Sequence, residues 1–119
     1  MTEPVPRPQA LQQLTIPGEI RDDMLQLIST ASGQVWRRPG LPPAQRSLIT
    51  IAVLAALGRL ELVRAHVGLG LDNGLSSLEI CEAIMHTAIY AGFPAAVTAF
   101  EVADAVFAAR AEAGGSGAG

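Results

Sequence analysis

Hydrophobic residues between 48 and 57 form the most apolar stretch of the chain. Thr50 is the only polar residue from Leu48 to Leu57. A helix without a polar side has no face to offer to solvent, so this stretch predicts a helix that is buried on every side at the centre of the fold. It is too short to cross a bilayer, which takes about 20 apolar residues. Gly58 follows at once and is typical of a helix C-terminus.

The next helix is predicted to begin at Leu60 and to carry a histidine on its inward face. Leu62, Ala65 and Leu69 recur at helical spacing, and His66 lies on the face that they form. A buried imidazole is either a core side chain with its hydrogen bonds satisfied or a group that takes part in chemistry. The spacing leaves both interpretations open.

Three other helices follow from periodicity and from start and stop signals. The first comes after Pro17 and Gly18, with a predicted buried stripe of Ile20, Met24, Leu27, Ile28, Ala31 and Val35. Gly74 is expected to end the histidine-bearing helix, and Ser76 with Glu79 forms a capping-box pattern that opens the next one. That helix is predicted to bury Leu78, Cys81, Met85 and Ala88, with Ile80, Ile84 and Ala91 widening the face. The last helix is predicted to bury Ala96, Phe100, Ala103 and Phe107 and to expose Glu101 and Asp104.

The two ends of the chain lack the signals of packed structure. Pro4, Pro6 and Pro8 predict an extended arm over residues 1–15. The run GGSGAG at 114–119 has no large side chain to bury and is predicted to be disordered. Residues 16–113 therefore form one predicted helical domain, and the predicted fold class is an all-α, single-domain bundle of about five to six helices.

Composition narrows the functional classes. Half of the 119 residues are apolar, more than the core of so small a domain can hide, which predicts a homo-oligomer. The net charge is −3 and the eight basic residues, all arginines, form no cluster, which argues against a nucleic-acid partner. Cys81 is the only cysteine, and the first residues lack the hydrophobic run of a secretory signal. These features predict a cytoplasmic protein that has no internal disulfide and no membrane contact.

Two further groups of side chains are candidates for a site. Trp36 and Arg38 lie in a proline-rich turn, where the indole either plugs the core or forms, with the arginine, one wall of a pocket. His86 follows Glu82 by four residues, a spacing that gives either a solvated ion pair or a proton relay.

The order of several short motifs resembles that of the carboxymuconolactone decarboxylase family. The motifs are WRRPGL (36–41), RSLITIAVLAAL (46–57), LVRAH (62–66), DNGL (72–75), EI (79–80) and AIYAGFPAA (88–96), and the likeness covers roughly residues 20 to 110. The resemblance implies a helical fold of the alkylhydroperoxidase D type. It also implies a homo-oligomer, often a trimer or hexamer, with active sites near subunit contacts.

The family has two chemical branches, which differ at a few positions. The peroxidase branch carries Cys-x-x-Cys-x-x-x-His, with an acidic residue one helix earlier. Here the cysteine positions hold Arg59 and Leu62, the acidic position holds Ser47, and only His66 matches. Without a thiolate there is no peroxide reduction. The resemblance therefore implies the decarboxylase branch, which also lacks the cysteines and keeps the histidine.

In that branch a small dicarboxylate lactone loses carbon dioxide to give the 3-oxoadipate enol-lactone, with no cofactor or metal implied. The electron pair left behind enters the conjugated lactone, which then takes up a proton, and a histidine suits that transfer. The resemblance thus implies a lyase for a small unsaturated lactone or carboxylic acid, with His66 as the proton-transfer residue. The implied substrate-binding residues are Trp36, Arg38, Arg46, Arg64, His86 and Tyr90, in which arginine forks hold carboxylates.

Two positions depart from the decarboxylase pattern. Gly68 stands where a second arginine is usual, and Val97 stands where an asparagine is usual after Pro-Ala-Ala. Arg64 also diverges from His66 by about 160° around the helix, so both serve one pocket only if it lies between subunits. Two alternatives therefore stay open. One is the same scaffold recruited to isomerise or cyclise a more apolar substrate, as in secondary metabolism, and the other is a non-catalytic helical oligomer.

Overall fold

The computed structural model describes residues 15–118, with side chains described as far as residue 114. Within this range the chain forms five α-helices and no strand: α1 (Gly18–Trp36), α2 (Pro43–Leu57), α3 (Leu60–Asp72), α4 (Ser77–Ala91) and α5 (Phe93–Ala118). The all-α prediction is confirmed. The chain divides into two compact units, the first ending at Pro42 and the second beginning at Pro43.

The helix boundaries follow from local sequence. Gly58, directly after α2, has a φ of 72°, and Gly74, shortly after α3, has a φ of 101°, a backbone conformation that side chains with a Cβ rarely adopt. The backbone N–H of Glu79 donates to Ser76 Oγ at 3.0 Å, and the N–H of Ser76 donates to Glu79 Oε1 at 2.9 Å. This is the capping box predicted for the start of α4. The three predicted boundaries are confirmed.

The core of the second unit lies where α2 to α5 pack together. α2 packs against α3, α4 and α5, and α5 also packs along α3 and α4. The largest side chains that are fully buried there are Ile51, Val63, Val67, Ile80 and Ile84, and α5 contributes Ala96, Ala99 and Ala103. Removing these apolar groups from water is the main favourable term in folding. The alanines of α5 also allow its backbone to approach the other helices.

The prediction that the helix over 48–57 is buried on every side is wrong for the described chain. α2 buries Ser47, Ile51 and Ala55. On another face, Ile49, Val53 and Leu57 are exposed by 52%, 50% and 64%. The helix therefore has one packed face and one apolar face that the second unit does not cover.

The predicted face of α1 is wrong, and that of α4 is correct only in part, since its members Ile80, Ile84 and Ala88 are buried. α4 buries Ile80, Ile84, Thr87 and Ala88, whereas Leu78 and Met85 of the predicted face are exposed. α1 buries Leu25 and Ser29, whereas Ile20, Met24, Leu27 and Val35 of the predicted stripe are exposed. Apolar residues occupy more than one face of each helix, so periodicity does not decide which face packs. In α5 the prediction is closer, since Ala96 and Ala103 are buried while Glu101 and Asp104 are exposed.

The predictions for the two ends of the chain are not tested. Residues 1–14 of the predicted N-terminal arm lie outside the described residues. α5 is assigned as far as Ala118, beyond the predicted start of the tail at Gly114, and disorder of residues 114–119 stays a prediction. None of the described helices combines the length and the hydropathy that a membrane span requires.

Candidate functional site

His66 lies at the edge of the buried face of α3. The centre of that face is Val63, Val67 and Gly70, so the predicted face is displaced by about one residue. The His66 ring is half-buried, and its Nδ1 atom is closed off from solvent without a hydrogen-bond partner among the described residues. Within the described chain, Nδ1 therefore has no protein partner, whereas buried polar atoms usually have one.

Burial also sets the protonation of this ring. It lowers the pKa of His66 below the ordinary value of 6.5, because removing water penalises the charged imidazolium. The ring is therefore neutral at neutral pH and able to accept a proton. Once formed, the imidazolium is a stronger acid than one in water, so it gives up its proton readily.

A polar contact holds the end of α3 against α2. Asn73 Nδ2 donates to Ser47 Oγ at 2.9 Å, and Ser47 is only 1% exposed. Near this contact, a Cβ atom at Gly70 would lie 3.0 Å from Leu75 Cδ1 and 3.2 Å from Ile51 Cδ1, closer than ordinary carbon contacts. The glycine thus permits the close approach of the helix that carries His66. Ser47, at the acidic position of the peroxidase branch, serves here as a packing and hydrogen-bonding residue.

Arg64 lines an open groove rather than the surroundings of His66. The groove has a volume of about 370 Å³, and its other lining residues all belong to α5: Ala105, Val106, Ala109, Arg110 and Ala113. Arg64 Nε lies 3.8 Å from Glu61 Oε2, one turn earlier in α3. His66 is not among the lining residues, as the angular separation of residues 64 and 66 predicts.

Arg110, which the sequence patterns did not single out, connects α5 to α3. Its Nη1 donates to Asp72 Oδ1 at 2.8 Å, and its Nη2 donates to the carbonyl oxygen of Gly68 at 2.9 Å. A Cβ atom at residue 68 would lie 3.1 Å from Nη2, so the glycine makes room for the guanidinium. The partners are 38 and 42 residues apart in sequence, and no local motif signals such a contact.

The remaining predicted substrate-binding residues lie in several places. Arg46 is half-buried in the first turn of α2, where its main-chain carbonyl accepts a hydrogen bond from Thr50 Oγ1. His86 and Tyr90 are exposed on α4 with ring centroids 5.2 Å apart, so His86 contacts Tyr90 rather than Glu82. In the first unit, Trp36 is half-buried and Arg38 is exposed. Binding roles for these residues stay predictions.

Other reactive groups are few. Cys81 is a half-buried free thiol on α4. A single thiol without a second cysteine cannot form the internal disulfide of a thiol peroxidase cycle. In the part of the chain that the structure describes, no group of three or more His, Cys, Asp or Glu is placed to hold a metal ion. Cofactor independence stays a prediction.

Comparison with known proteins decides the family. The model of the carboxymuconolactone decarboxylase family matches residues 22–105. The chain belongs to this family. It is 49% identical over 77 residues to 4-carboxymuconolactone decarboxylase of Acinetobacter baylyi, covering 65% of the chain and 58% of that relative. It is 39% identical over 72 residues to nitrosuccinic acid decarboxylase npaB of Metarhizium robertsii, covering 60% of the chain and 50% of that relative.

Membership confirms the resemblance predicted from the motifs. The chain spans only half to about three-fifths of the length of these two relatives. Both relatives carry the name of a decarboxylase, one for 4-carboxymuconolactone and the other for nitrosuccinic acid.

Proposed function

We propose that this protein is a decarboxylase-type lyase that acts on a small carboxylic acid and uses His66 as its proton-transfer residue. The observation that carries the proposal is the half-buried His66 ring, whose Nδ1 is shielded and has no partner among the described residues. The chain's membership in the carboxymuconolactone decarboxylase family, and the names of two relatives, support the reaction type.

The names of the relatives' substrates suggest a shared chemistry for this chain. The bond between carbon and the departing carboxylate breaks, carbon dioxide leaves, and the electron pair enters a neighbouring acceptor, which is the conjugated lactone in one substrate and the nitro group in the other. One proton must then be added to the substrate at carbon, so that a hydrogen replaces the carboxylate. His66, protonated from solvent, donates that proton and returns to the neutral form that burial favours.

Substitution of His66 by Asn tests this role. Asn keeps one hydrogen-bonding end but cannot transfer a proton near neutral pH, so kcat for decarboxylation should fall by roughly 10²-fold or more. Stability should change by no more than about 1–2 kcal/mol. In His66→Ala, added imidazole should restore part of the turnover, which it would not do for a packing role. Turnover that is preserved in His66→Asn would remove this residue from the mechanism.

The choice of substrate is a separate question with a direct assay. Release of carbon dioxide from 4-carboxymuconolactone and from nitrosuccinate is measured on the same preparation, and kcat/KM ranks the two acids. The second candidate function is an isomerase or cyclase for a more apolar substrate. It is favoured by Val97, an apolar side chain that is 55% exposed at a position where decarboxylases of the family usually have an asparagine. A folded protein that turns over neither acid would favour this candidate or a non-catalytic oligomer.

We also propose that the protein is a cytoplasmic homo-oligomer, a trimer or hexamer as the resemblance implies. α2 exposes Ile49, Val53 and Leu57 on one face, and α4 exposes Leu78, Met85 and Ile89. Large apolar patches on a small protein are typical of subunit interfaces.

Light scattering at low micromolar concentration tests the assembly. We expect a mass that is a multiple of 12.4 kDa, and a monodisperse species at 12.4 kDa would contradict the proposal. Val53→Gln and Ile89→Gln place a polar group on the two apolar faces and should weaken association. Glu82→Gln, which introduces the same side chain on the exposed side of α4, is the matched control.

A further inference from the structure

The groove between α3 and α5 combines two cationic side chains with an apolar surface. Arg64 enters it from α3 and Arg110 enters it from α5, and the other lining residues are the short apolar side chains of Ala105, Val106, Ala109 and Ala113. Its volume of about 370 Å³ is within the range of small-molecule sites, about 300–1,000 Å³.

Arg110 is preorganised for binding an anion. Its two hydrogen bonds, to Asp72 and to the carbonyl of Gly68, use two of the five N–H groups of the guanidinium and hold its plane in place. The side chain remains 46% exposed, so the other N–H groups are accessible. A guanidinium that is already ordered loses little conformational entropy when a ligand binds.

Arg64 provides the second cation. Its contact with Glu61 is 3.8 Å long, beyond hydrogen-bond distance, and the Glu61 side chain is 88% exposed. Asp72 and Glu61 offset part of the positive charge of the two arginines. The balance suits a ligand with a single carboxylate better than one with several negative charges, which would be repelled by both acidic side chains.

We propose that this groove binds a small monocarboxylic acid with a compact apolar body. The carboxylate lies between Arg64 and Arg110, and the apolar part lies on the surface formed by Ala105, Val106, Ala109 and Ala113. Because residues 64 and 66 diverge by about 160° around α3, this is a second site, distinct from the surroundings of His66. It does not depend on the function proposed for His66.

Binding of cyclohexanecarboxylate to the full chain tests the proposal, with the neutral cyclohexanecarboxamide as the comparison ligand. The side-chain Nε–Hε signals of arginine, observed by NMR during the titration, report contacts with the guanidinium groups. We expect saturable shifts with the acid and at least tenfold weaker binding of the amide, since only the carboxylate is charged and can form an ion pair with the guanidinium groups. No saturable binding of the acid, or equal binding of acid and amide, would overturn the proposal.

Substitutions locate the site. Arg64→Gln and Arg110→Gln should each weaken acid binding by about tenfold or more, and Arg110→Lys, which keeps the charge but loses the fork, should also weaken it. Arg59→Gln is the matched control, because Arg59 is an exposed arginine just before α3 that does not line the groove. Among the described residues, Arg64 forms no hydrogen bond or ion pair with another helix, so Arg64→Gln remains informative even if loss of Arg110 destabilises the fold.

Two outcomes would refute the location. If Arg59→Gln weakened acid binding as much as Arg64→Gln, the acid would be attracted to the positive charge of the protein in general rather than to the groove. Loss of acid binding in His66→Asn would place the ligand beside His66 instead. Because His66→Asn should lower kcat by roughly 10²-fold or more while leaving acid binding unchanged, failure of this inference and failure of the proposed lyase function are distinguishable.

Discussion

Protonation of His66 should couple the stability of the protein to pH. In the unfolded chain the imidazole titrates near 6.5, whereas burial lowers its pKa in the folded state. The unfolded state therefore binds a proton more readily. Stability is fully present above pH 6.5 and is lost as the pH falls through the folded-state pKa. His66→Asn removes this dependence, so the variant should gain stability relative to the wild type on acidification.

The size of the effect follows from the surroundings of Nδ1. Protonation gives both ring nitrogens a hydrogen, and Nδ1 has no acceptor among the described residues. A buried donor without an acceptor costs about 1–3 kcal/mol. The ring is only half-buried and solvent screens its charge, so about 1 kcal/mol is the expected size. A single titrating group limits the slope to about 1.4 kcal/mol per pH unit.

Urea denaturation of wild type and His66→Asn between about pH 5 and pH 8, at one protein concentration, measures this difference. We expect a constant difference in unfolding free energy above about pH 7.5 and a change of about 1 kcal/mol in favour of the variant below pH 6. His86→Asn, at the exposed second histidine, is the control. The reasoning would be refuted if the difference in unfolding free energy between wild type and His66→Asn did not vary with pH. It would also be refuted if the difference between wild type and His86→Asn varied with pH by the same amount.

Three other changes have definite expected outcomes in thermal denaturation. Ser76→Ala removes the acceptor of the Glu79 N–H and should lower the free energy of unfolding by about 1 kcal/mol. Ser77→Ala, one residue further along the chain, should lower it less, and equal losses in the two variants would contradict the capping role. Gly58→Ala should cost about 1 kcal/mol because alanine is strained at a φ of 72°, and an unchanged Tm would show that the turn relaxes. Deletion of residues 114–119 should leave Tm unchanged, and a drop of several degrees would show that this segment packs against the protein.

The sequence was most informative where a structural signal is local. Gly58, Gly74 and the pair Ser76 and Glu79 each act within a few residues, and the helix boundaries that they predict are confirmed. The buried faces were predicted less well because α1, α2 and α4 carry apolar residues on more than one side. Val53 and Met85 match an inward pattern, yet both are at least half exposed. Periodicity identifies an apolar face, whereas packing between distant segments selects which face is buried.

The candidate site shows the same division. His66 was singled out because its type and its place in the LVRAH motif are visible along the chain, and its catalytic role stays a prediction. Arg110 was not singled out, because its hydrogen bonds to Gly68 and Asp72 form only when α5 packs on α3. In the sequence, Gly68 stands where a second arginine is usual in the decarboxylase branch. In the structure this position gives space to the guanidinium of Arg110 from another helix, a contact that the sequence does not signal.

The short connections of the second unit have a consequence for its folding rate. Two residues join α2 to α3, four join α3 to α4 and one joins α4 to α5. Closing such short loops costs little chain entropy and takes well under a microsecond, and helical proteins with mostly local contacts fold in microseconds to milliseconds. The search for the native helix arrangement should therefore be fast in this unit. A slower refolding phase whose rate increases with protein concentration would report the association of copies rather than the folding of the chain.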